Sequence, residues 1–213
     1  MITTAEIKQF EKKALESGIT LKDLMDNAGK AVCDAIEDKM ELKDKRVLII
    51  CYHGNNGGDG FSAASYISKK TPIDILFIGD EDKLSDEAAF FYEQCLNNEN
   101  IMFTGSPKYI NFGHYDIIID AILGIGSKRS LKNEMAEIIN LANQNTAFRV
   151  SIDNPTGIDP DTGKIDQTAF EADLIVTFWD IKKGLEQLKD KCVVANISYT
   201  KQENSNKRII DIG

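Results

Sequence analysis

The fifteen residues Val47–Phe61, VLIICYHGNNGGDGF, constrain the fold more than any other stretch of the chain. Val47 to Cys51 is an unbroken apolar run, and a strand apolar at every position is one buried on both faces of its sheet. Four glycines follow within seven residues, Gly54, Gly57, Gly58 and Gly60, interleaved with Asn55, Asn56 and Asp59. Ala63 to Ile67 then continue in helical rhythm. Strand, glycine turn and helix come in the order of a phosphate loop.

Glycine allows positive φ and close approach of a ligand to the main chain, and the first turn of a helix offers unpaired N–H groups and a positive dipole end. An anion suits such a place. The asparagines and Asp59 add short donors and acceptors fit for a ribose, an amide or a cation. A plain tight turn, with Asn and Gly supplying left-handed conformations, is the competing explanation, although such a turn needs one or two of these residues rather than seven. Neither common nucleotide fingerprint fits: the run lacks Gly-x-x-x-x-Gly-Lys-Ser/Thr, and Gly54 to Gly60 cannot be read as Gly-x-Gly-x-x-Gly.

At 213 residues, 42% hydrophobic and 28% charged, the chain suits a single domain spanning 1–213 with a full core. A net charge of −9 provides no overall basic field for nucleic acid or an anionic membrane, so neither is an expected partner. An anionic substrate must be held by local N–H groups and individual basic side chains. The first residues have no basic start and no apolar core of a signal peptide, and no run approaches the length of a membrane span. Cys33, Cys51, Cys95 and Cys192 are far apart without a C-x-x-C pair, and read as reduced, mostly buried thiols of a cytoplasmic protein.

Along the chain, Thr3 and Glu6 form a capping box for a short amphipathic helix that Gly18 stops. Thr20 opens a second helix with the apolar line Leu21, Leu24, Met25, Ala28, Val32, Ala35 and Ile36. After the glycine loop, strands are expected at Ile73–Ile78, Ile101–Phe103, Tyr115–Asp120, Phe148–Ile152 and Leu174–Phe178, with helices over Ser85–Leu96 and Leu131–Leu141. Lys201 to Lys207 is polar enough for a loop. Alternating strands and helices imply right-handed crossovers, hence an α/β fold: a Rossmann-like three-layer αβα sandwich with a mostly parallel central sheet and two extra N-terminal helices.

Ligands of open α/β sheets bind beyond the carboxyl ends of the strands. Three strand ends carry polar, glycine-rich chemistry: Gly54–Gly60, Asp120–Ser130 (DAILGIGSKRS) and Asp153–Gly157 (DNPTG). Each is weak alone, since Asp120 could be a turn acid and Asn-Pro is an ordinary turn dipeptide. Convergence on one edge is the stronger argument.

The same three loops resemble the NAD(P)H-hydrate epimerase family, the YjeF N-terminal domain. GNNGGDGF resembles its signature, Asp120-Ala-Ile-Leu-Gly-Ile-Gly126 its Asp-Ala-Leu-Phe-Gly-Thr-Gly, and Asp153-Asn-Pro-Thr-Gly157 its Asp-Ile-Pro-Ser-Gly. Ile158-Asp-Pro-Asp-Thr-Gly163 and Leu24-Met25-Asp26-Asn27-Ala28-Gly29 fit as well. The resemblance runs from Thr3 to about Phe178. It implies an epimerase that interconverts the S and R forms of hydrated NADH or NADPH. Substrate-binding residues would be Asn55, Asn56, Gly57, Gly58, Asp59, Gly124, Ile125, Gly126, Ser127, Lys128, Arg129, Ser130 and Asp153. Potassium would be the cofactor, held by Asn56, Asp120 and Thr156 with main-chain carbonyls, oxygen donors that suit a hard cation. A hydrate dehydratase would be the functional partner, and homo-oligomer formation is left open.

The hydroxyl of a hydrated nicotinamide sits on a carbon beside the ring nitrogen. Its configuration inverts if the hydroxyl leaves and returns, or if the ring opens and recloses, and both routes need a proton donor and acceptor. Asp153 is the catalytic candidate, because a strand-end carboxylate beside other acids can shuttle a proton. Several positions depart from the family: His53 stands where a basic Lys is frequent, Ile125 replaces Thr, Asn154 an aliphatic residue and Thr156 a Ser, while Lys183-Gly184-Leu185 lacks the proline of Lys-Pro-Gly-Leu. The alternative readings are a non-catalytic nucleotide-binding or scaffold module of the same fold, and a generic flavodoxin-like binder.

Overall fold

A computed structural model describes residues 1–126 and 131–199. Helices α1 (Thr4–Glu16) and α2 (Leu21–Glu37) come first, each opened by a reciprocal capping box, Thr3 with Glu6 and Thr20 with Asp23. Then follow β1 (Val47–Cys51), α3 (Asn55–Ile67), β2 (Ile73–Phe77), α4 (Asp86–Leu96) and β3 (Ile101–Thr104). The second half holds β4 (Ile117–Ala121), α5 (Asn133–Asn143), β5 (Phe148–Ile152), β6 (Leu174–Phe178) and β7 (Cys192–Ala195), the last reached through 3-10 turns over Lys183–Lys191.

The seven strands form one sheet in the order β3-β2-β1-β4-β5-β6-β7, and every neighbouring pair is parallel. Strand order therefore reverses between β1 and β4. That gap opens a crevice at the carboxyl edge, where loops diverge to opposite faces.

Side chains alternate between two cores. Val47, Ile49 and Cys51 point into the layer made by α2, α3 and α4, while Leu48 and Ile50 point into the layer made by α5, Phe170 and Leu185. Both faces of β1 are thus covered, which is why its five positions are all apolar and all buried. Small residues bring α2 against α3: a Cβ on Gly29 would lie 2.2 Å from the Ser62 hydroxyl. The expected three-layer sandwich with two extra N-terminal helices is the observed architecture.

Two details differ from expectation. The glycine run is not a loop before a helix. Gly54, with φ −87°, is the N-cap, and Asn55 to Gly60 already form the first turns of α3. These glycines serve close packing rather than positive φ. A Cβ on Gly57 would sit 1.6 Å from the Tyr52 carbonyl, one on Gly58 2.5 Å from the Met25 methyl, and one on Gly60 2.5 Å from the Ala121 Cβ. Strand β7 is the other difference, a four-residue edge strand behind a charged stretch. Lys201 to Lys207 lies outside the described residues.

Cys33, Cys51 and Cys95 are buried and Cys192 partly so, all with free thiols. Burial pushes the Cys33 and Cys95 thiols up to about 12 and Cys192 to about 11, so none is a ready nucleophile.

Candidate functional site

A cavity of about 440 Å³ runs along the carboxyl edge of the sheet. Its floor is the start of α3 (Gly54, Asn55, Asn56, Asp59) and the turn after β4 (Ile122 to Gly126). One end is walled by Tyr52 and His53, the other by Asp153, Phe178 and Trp179, and α1 closes one side with Ile7, Lys8 and Glu11. The three loops singled out in the sequence meet here. Ser127, Lys128, Arg129 and Ser130 lie outside the described residues.

The floor offers an anion site by construction. The first bond of α3 runs from the Gly58 N–H to the Gly54 carbonyl, so the N–H groups of Asn55, Asn56 and Gly57 precede the helical ladder. Gly57 and Gly58 have their α-carbons turned to Tyr52 and Met25, so they contribute backbone rather than cavity wall.

Behind the turn lies a buried polar knot. Asp120 is fully buried and accepts four hydrogen bonds: from the Thr156 N–H (2.8 Å), the Thr156 hydroxyl (2.7 Å), the Ile122 N–H (3.1 Å) and the Ser151 hydroxyl (3.3 Å). Burial pushes its carboxyl up to about 6, against the pull of those hydrogen bonds. The Thr156 hydroxyl also accepts from the Leu123 N–H at 3.0 Å. Beyond Leu123, Gly124 packs on Asn56, where a Cβ would lie 3.1 Å from the amide oxygen. Asn56, Asp120 and Thr156 are therefore linked around the single turn Ile122–Gly124. The buried Asn56 Nδ2 has no hydrogen-bond partner among the described residues. It is the amide oxygen of Asn56 that faces the Gly124 turn. The donor set is then carboxylate, hydroxyl, amide and carbonyl oxygens, which fits a hard cation such as potassium.

Asp153 occupies a costly backbone conformation, φ +64°, at the end of β5. Its N–H bonds the Val176 carbonyl (2.8 Å), tying it to β6. Its Oδ1 is bonded by Lys182, whose side chain is fully buried and whose ammonium also donates to the Thr177 hydroxyl (2.7 Å) and the Phe178 carbonyl (3.2 Å). Oδ2 carries no hydrogen bond from the described residues, and Asp153 lines the cavity. Sequence reasoning expected acids beside Asp153 and missed the lysine.

The missed signal was one of register. In Lys182-Lys183-Gly184-Leu185 the lysine of Lys-Pro-Gly-Leu is Lys182, and Lys183 takes the place of the proline. Gly184 is required by packing, since a Cβ there would lie 2.2 Å from the Asp159 carbonyl. Ile2 pins the same segment from the other side, its N–H bonding the Ile181 carbonyl (2.8 Å) and its carbonyl accepting from the Lys183 N–H (3.0 Å).

Acids do share the wall. Asp59 projects into the cavity from α3, and burial, reinforced by the charges of Asp153 and Glu11, raises its carboxyl well above the usual range. Glu11, from α1, is raised as well, by burial first and by Asp153 second. Helical periodicity assigns Glu11 to a solvated polar face, so nothing in the sequence alone distinguished it.

Comparisons with known proteins agree with this architecture. A family model described as YjeF-related protein N-terminus matches residues 21–184. The chain is 33% identical over 195 residues to the NAD(P)H-hydrate epimerase of Rhodopirellula baltica, covering 88% of this chain and 78% of that protein. It is 32% identical over 186 residues to the protein of that name from Oenococcus oeni, covering 86% and 87%. It is also 34% identical over 188 residues to the Bifunctional NAD(P)H-hydrate repair enzyme Nnr of Methanothermobacter thermautotrophicus, spanning 84% of this chain but 36% of that relative. Among solved structures, yeast ynu0 (YNL200c) superposes with a TM-score of 0.80 at 21% identity, over 92% of this chain and 87% of that one, a likeness of fold. With its matched segment containing all three loops that meet at the cavity, the chain belongs to the family of YjeF-related protein N-termini.

Proposed function

We propose that the chain is an NAD(P)H-hydrate epimerase, interconverting the S and R forms of hydrated NADH or NADPH. The observation that carries this reading is the pairing, in one cavity, of an Asp153 oxygen that no described residue hydrogen-bonds with a second carboxyl, Asp59, of raised proton affinity. Relatives named for this reaction, at 33% and 32% identity over most of both chains, support it.

Inversion at the hemiaminal carbon consumes no net proton, but one group must give a proton and another take it. Burial beside Asp153 and Glu11 keeps Asp59 in its protonated form to higher pH than an ordinary aspartate, which makes it the donor. Asp153, with Oδ1 anchored by Lys182, presents Oδ2 as the acceptor. Either the C–O bond breaks, the ring nitrogen supplying electrons as the hydroxyl departs protonated as water, or the C–N bond breaks and the ring opens. In the first route the water that re-adds on the other face gives its proton to Asp153, which passes it back to Asp59. In the second Asp153 takes the hydroxyl proton and Asp59 protonates the nitrogen, and both transfers reverse when the ring closes on the other face, so no net proton is consumed. The α3 amides would hold the diphosphate and so fix the nicotinamide end against these carboxyls, the positioning contribution to rate.

Asn56, Asp120 and Thr156 would hold potassium, which when bound supplies positive charge that ties the loops after β1, β4 and β5 together. Cytoplasmic location and a hydrate dehydratase as functional partner complete the reading. No helix among the described residues is long and apolar enough to cross a membrane. The test is a chromatographic or NMR assay of the hydrate epimers with and without potassium. Acceleration of S and R exchange, greater with potassium, is expected; a protein that leaves the two epimers unexchanged contradicts the reading.

A further inference from the structure

The cavity end opposite Asp153 is unlike a bare phosphate loop. Tyr52 and His53 stack on one another, ring centroids 3.8 Å apart and 33° from parallel, and both line the cavity. His53 Nδ1 accepts the Asp80 N–H at 3.2 Å, so in the neutral ring the proton sits on Nε2. Burial and the nearby charges of Lys83 and Lys132 hold His53 below its ordinary range, which favours that neutral donor form.

Lys132 adjoins the same end through Tyr52, without itself lining the cavity. Its ammonium donates to the Tyr52 hydroxyl at 2.9 Å and lies 5.3 Å from the Tyr52 ring centroid. Lys83 is already paired with Asp80 at 2.6 Å. Among the described residues no carboxylate pairs with Lys132, in a chain carrying a net charge of −9. An aromatic platform and a ring N–H donor line one end of the cavity, with Glu87 of α4 also on the lining. Lys132, without a carboxylate partner among the described residues, is held on the Tyr52 hydroxyl beside them, while Asp153 lies at the other end.

Topology sets the direction. The cavity runs from the end of β1 across β4 and β5 to β6, three strand spacings, or roughly 14 Å at about 4.8 Å each. That is the scale of an extended dinucleotide. With the reacting ring at Asp153 and the diphosphate over the α3 amides, the adenosine half reaches Tyr52 and His53.

Resting on the epimerase reading, we propose that Tyr52, His53 and Lys132 form the adenosine subsite, with Lys132 contacting a 2′-phosphate, so that the phosphorylated hydrate, that of NADPH, is preferred over that of NADH. The aromatic pair accepts the base face, a sequence-tolerant contact. The lysine acts as a point charge on a phosphate.

The test measures kcat/KM for both hydrates in the intact protein and in Lys132→Gln, an exposed position. The ratio of NADPH-hydrate to NADH-hydrate efficiency is expected to fall about tenfold, the equivalent of about 1.4 kcal/mol. Tyr52→Phe, which removes the hydroxyl that holds the ammonium but keeps the ring, is expected to lower the ratio by a smaller factor. An unchanged ratio in Lys132→Gln overturns the subsite. Calorimetry with ADP-ribose and its 2′-phosphate gives a readout free of turnover: about tenfold tighter binding of the phosphorylated form, lost in Lys132→Gln, is expected. A protein that shows this binding preference but exchanges no hydrate epimers keeps the subsite and sinks the epimerase reading. One that exchanges both hydrates with no preference to lose does the reverse.

Discussion

Lys182 and Asp153, 29 positions apart in the chain, form a buried ion pair where β5 and β6 end. The lysine reaches its partner because Asp153 adopts φ +64°, turning its carboxyl back toward β6 while the chain continues into the Asn154-Pro155 turn. One strained residue therefore both joins two strands and presents an oxygen to the cavity.

Lys182→Met should cost about 3–5 kcal/mol of stability, because removing one partner of a fully buried pair leaves the other charge uncompensated. Thr177 and the Phe178 carbonyl lose their donor in the same step. Denaturant titration reads this directly, and a midpoint equal to that of the unmodified protein would contradict the assignment of Lys182 as the anchor of Asp153.

The glycines of α3 should differ sharply in tolerance. Gly57→Ala forces a methyl against the Tyr52 carbonyl, 1.6 Å away in the present backbone, so α3 must move off β1. A loss of roughly 3 kcal/mol or more is expected, beyond ordinary overpacking. Gly54→Ala meets open space at φ −87° and should cost about 1 kcal/mol or less, the cap preference alone. Equal melting temperatures for the two variants would refute the packing account of the run.

Asp120 makes stability depend on pH in a defined window. Its carboxyl titrates at about 6 in the fold, against 3.8 ordinarily, because it is buried. The folded state therefore holds more protons than the unfolded chain between those values, and stability falls as pH rises from about 4 to about 6, then levels. The fall is on the order of 3 kcal/mol at 1.36 kcal/mol per unit. In potassium-free buffer, Asp120→Asn should lose this component of the profile. Potassium should raise the melting temperature of the unmodified protein more at pH 7.5 than at pH 4.5, since only the ionised carboxylate is a good ligand. Identical potassium effects at both pH values would remove Asp120 from the cation site.

Much of this was legible in the chain. The limits of β1 coincide with a solid apolar run, since a strand buried on both faces needs no polar alternation, and β6 is apolar but for Thr177. In β5 the bounds were legible although Arg149 and Ser151 interrupt the apolar positions. The capping boxes at Thr3 and Thr20 announced α1 and α2. The three loops could be placed on one edge because parallel strands bring all their carboxyl ends to the same side. The early start of α3 was hidden because Asn and Gly are poor helix formers, and only contacts with Tyr52, Met25 and Ala121 select the helix there. Lys182 was hidden because a lysine pair before a glycine reads as surface charge, while its burial depends on Asp153 and Thr177, which the chain places far away or on another strand. Glu11 escaped for the same reason: its cavity is made by elements distant in sequence.

The central claim is that Asp153 exchanges the proton of the reacting hydroxyl. The most direct test is Asp153→Asn, assayed for exchange between the S and R hydrates alongside dinucleotide binding by calorimetry. Loss of exchange by at least about a hundredfold, within the usual range for a general acid-base group, with binding largely retained, is the predicted result. Undiminished exchange in that variant would contradict it.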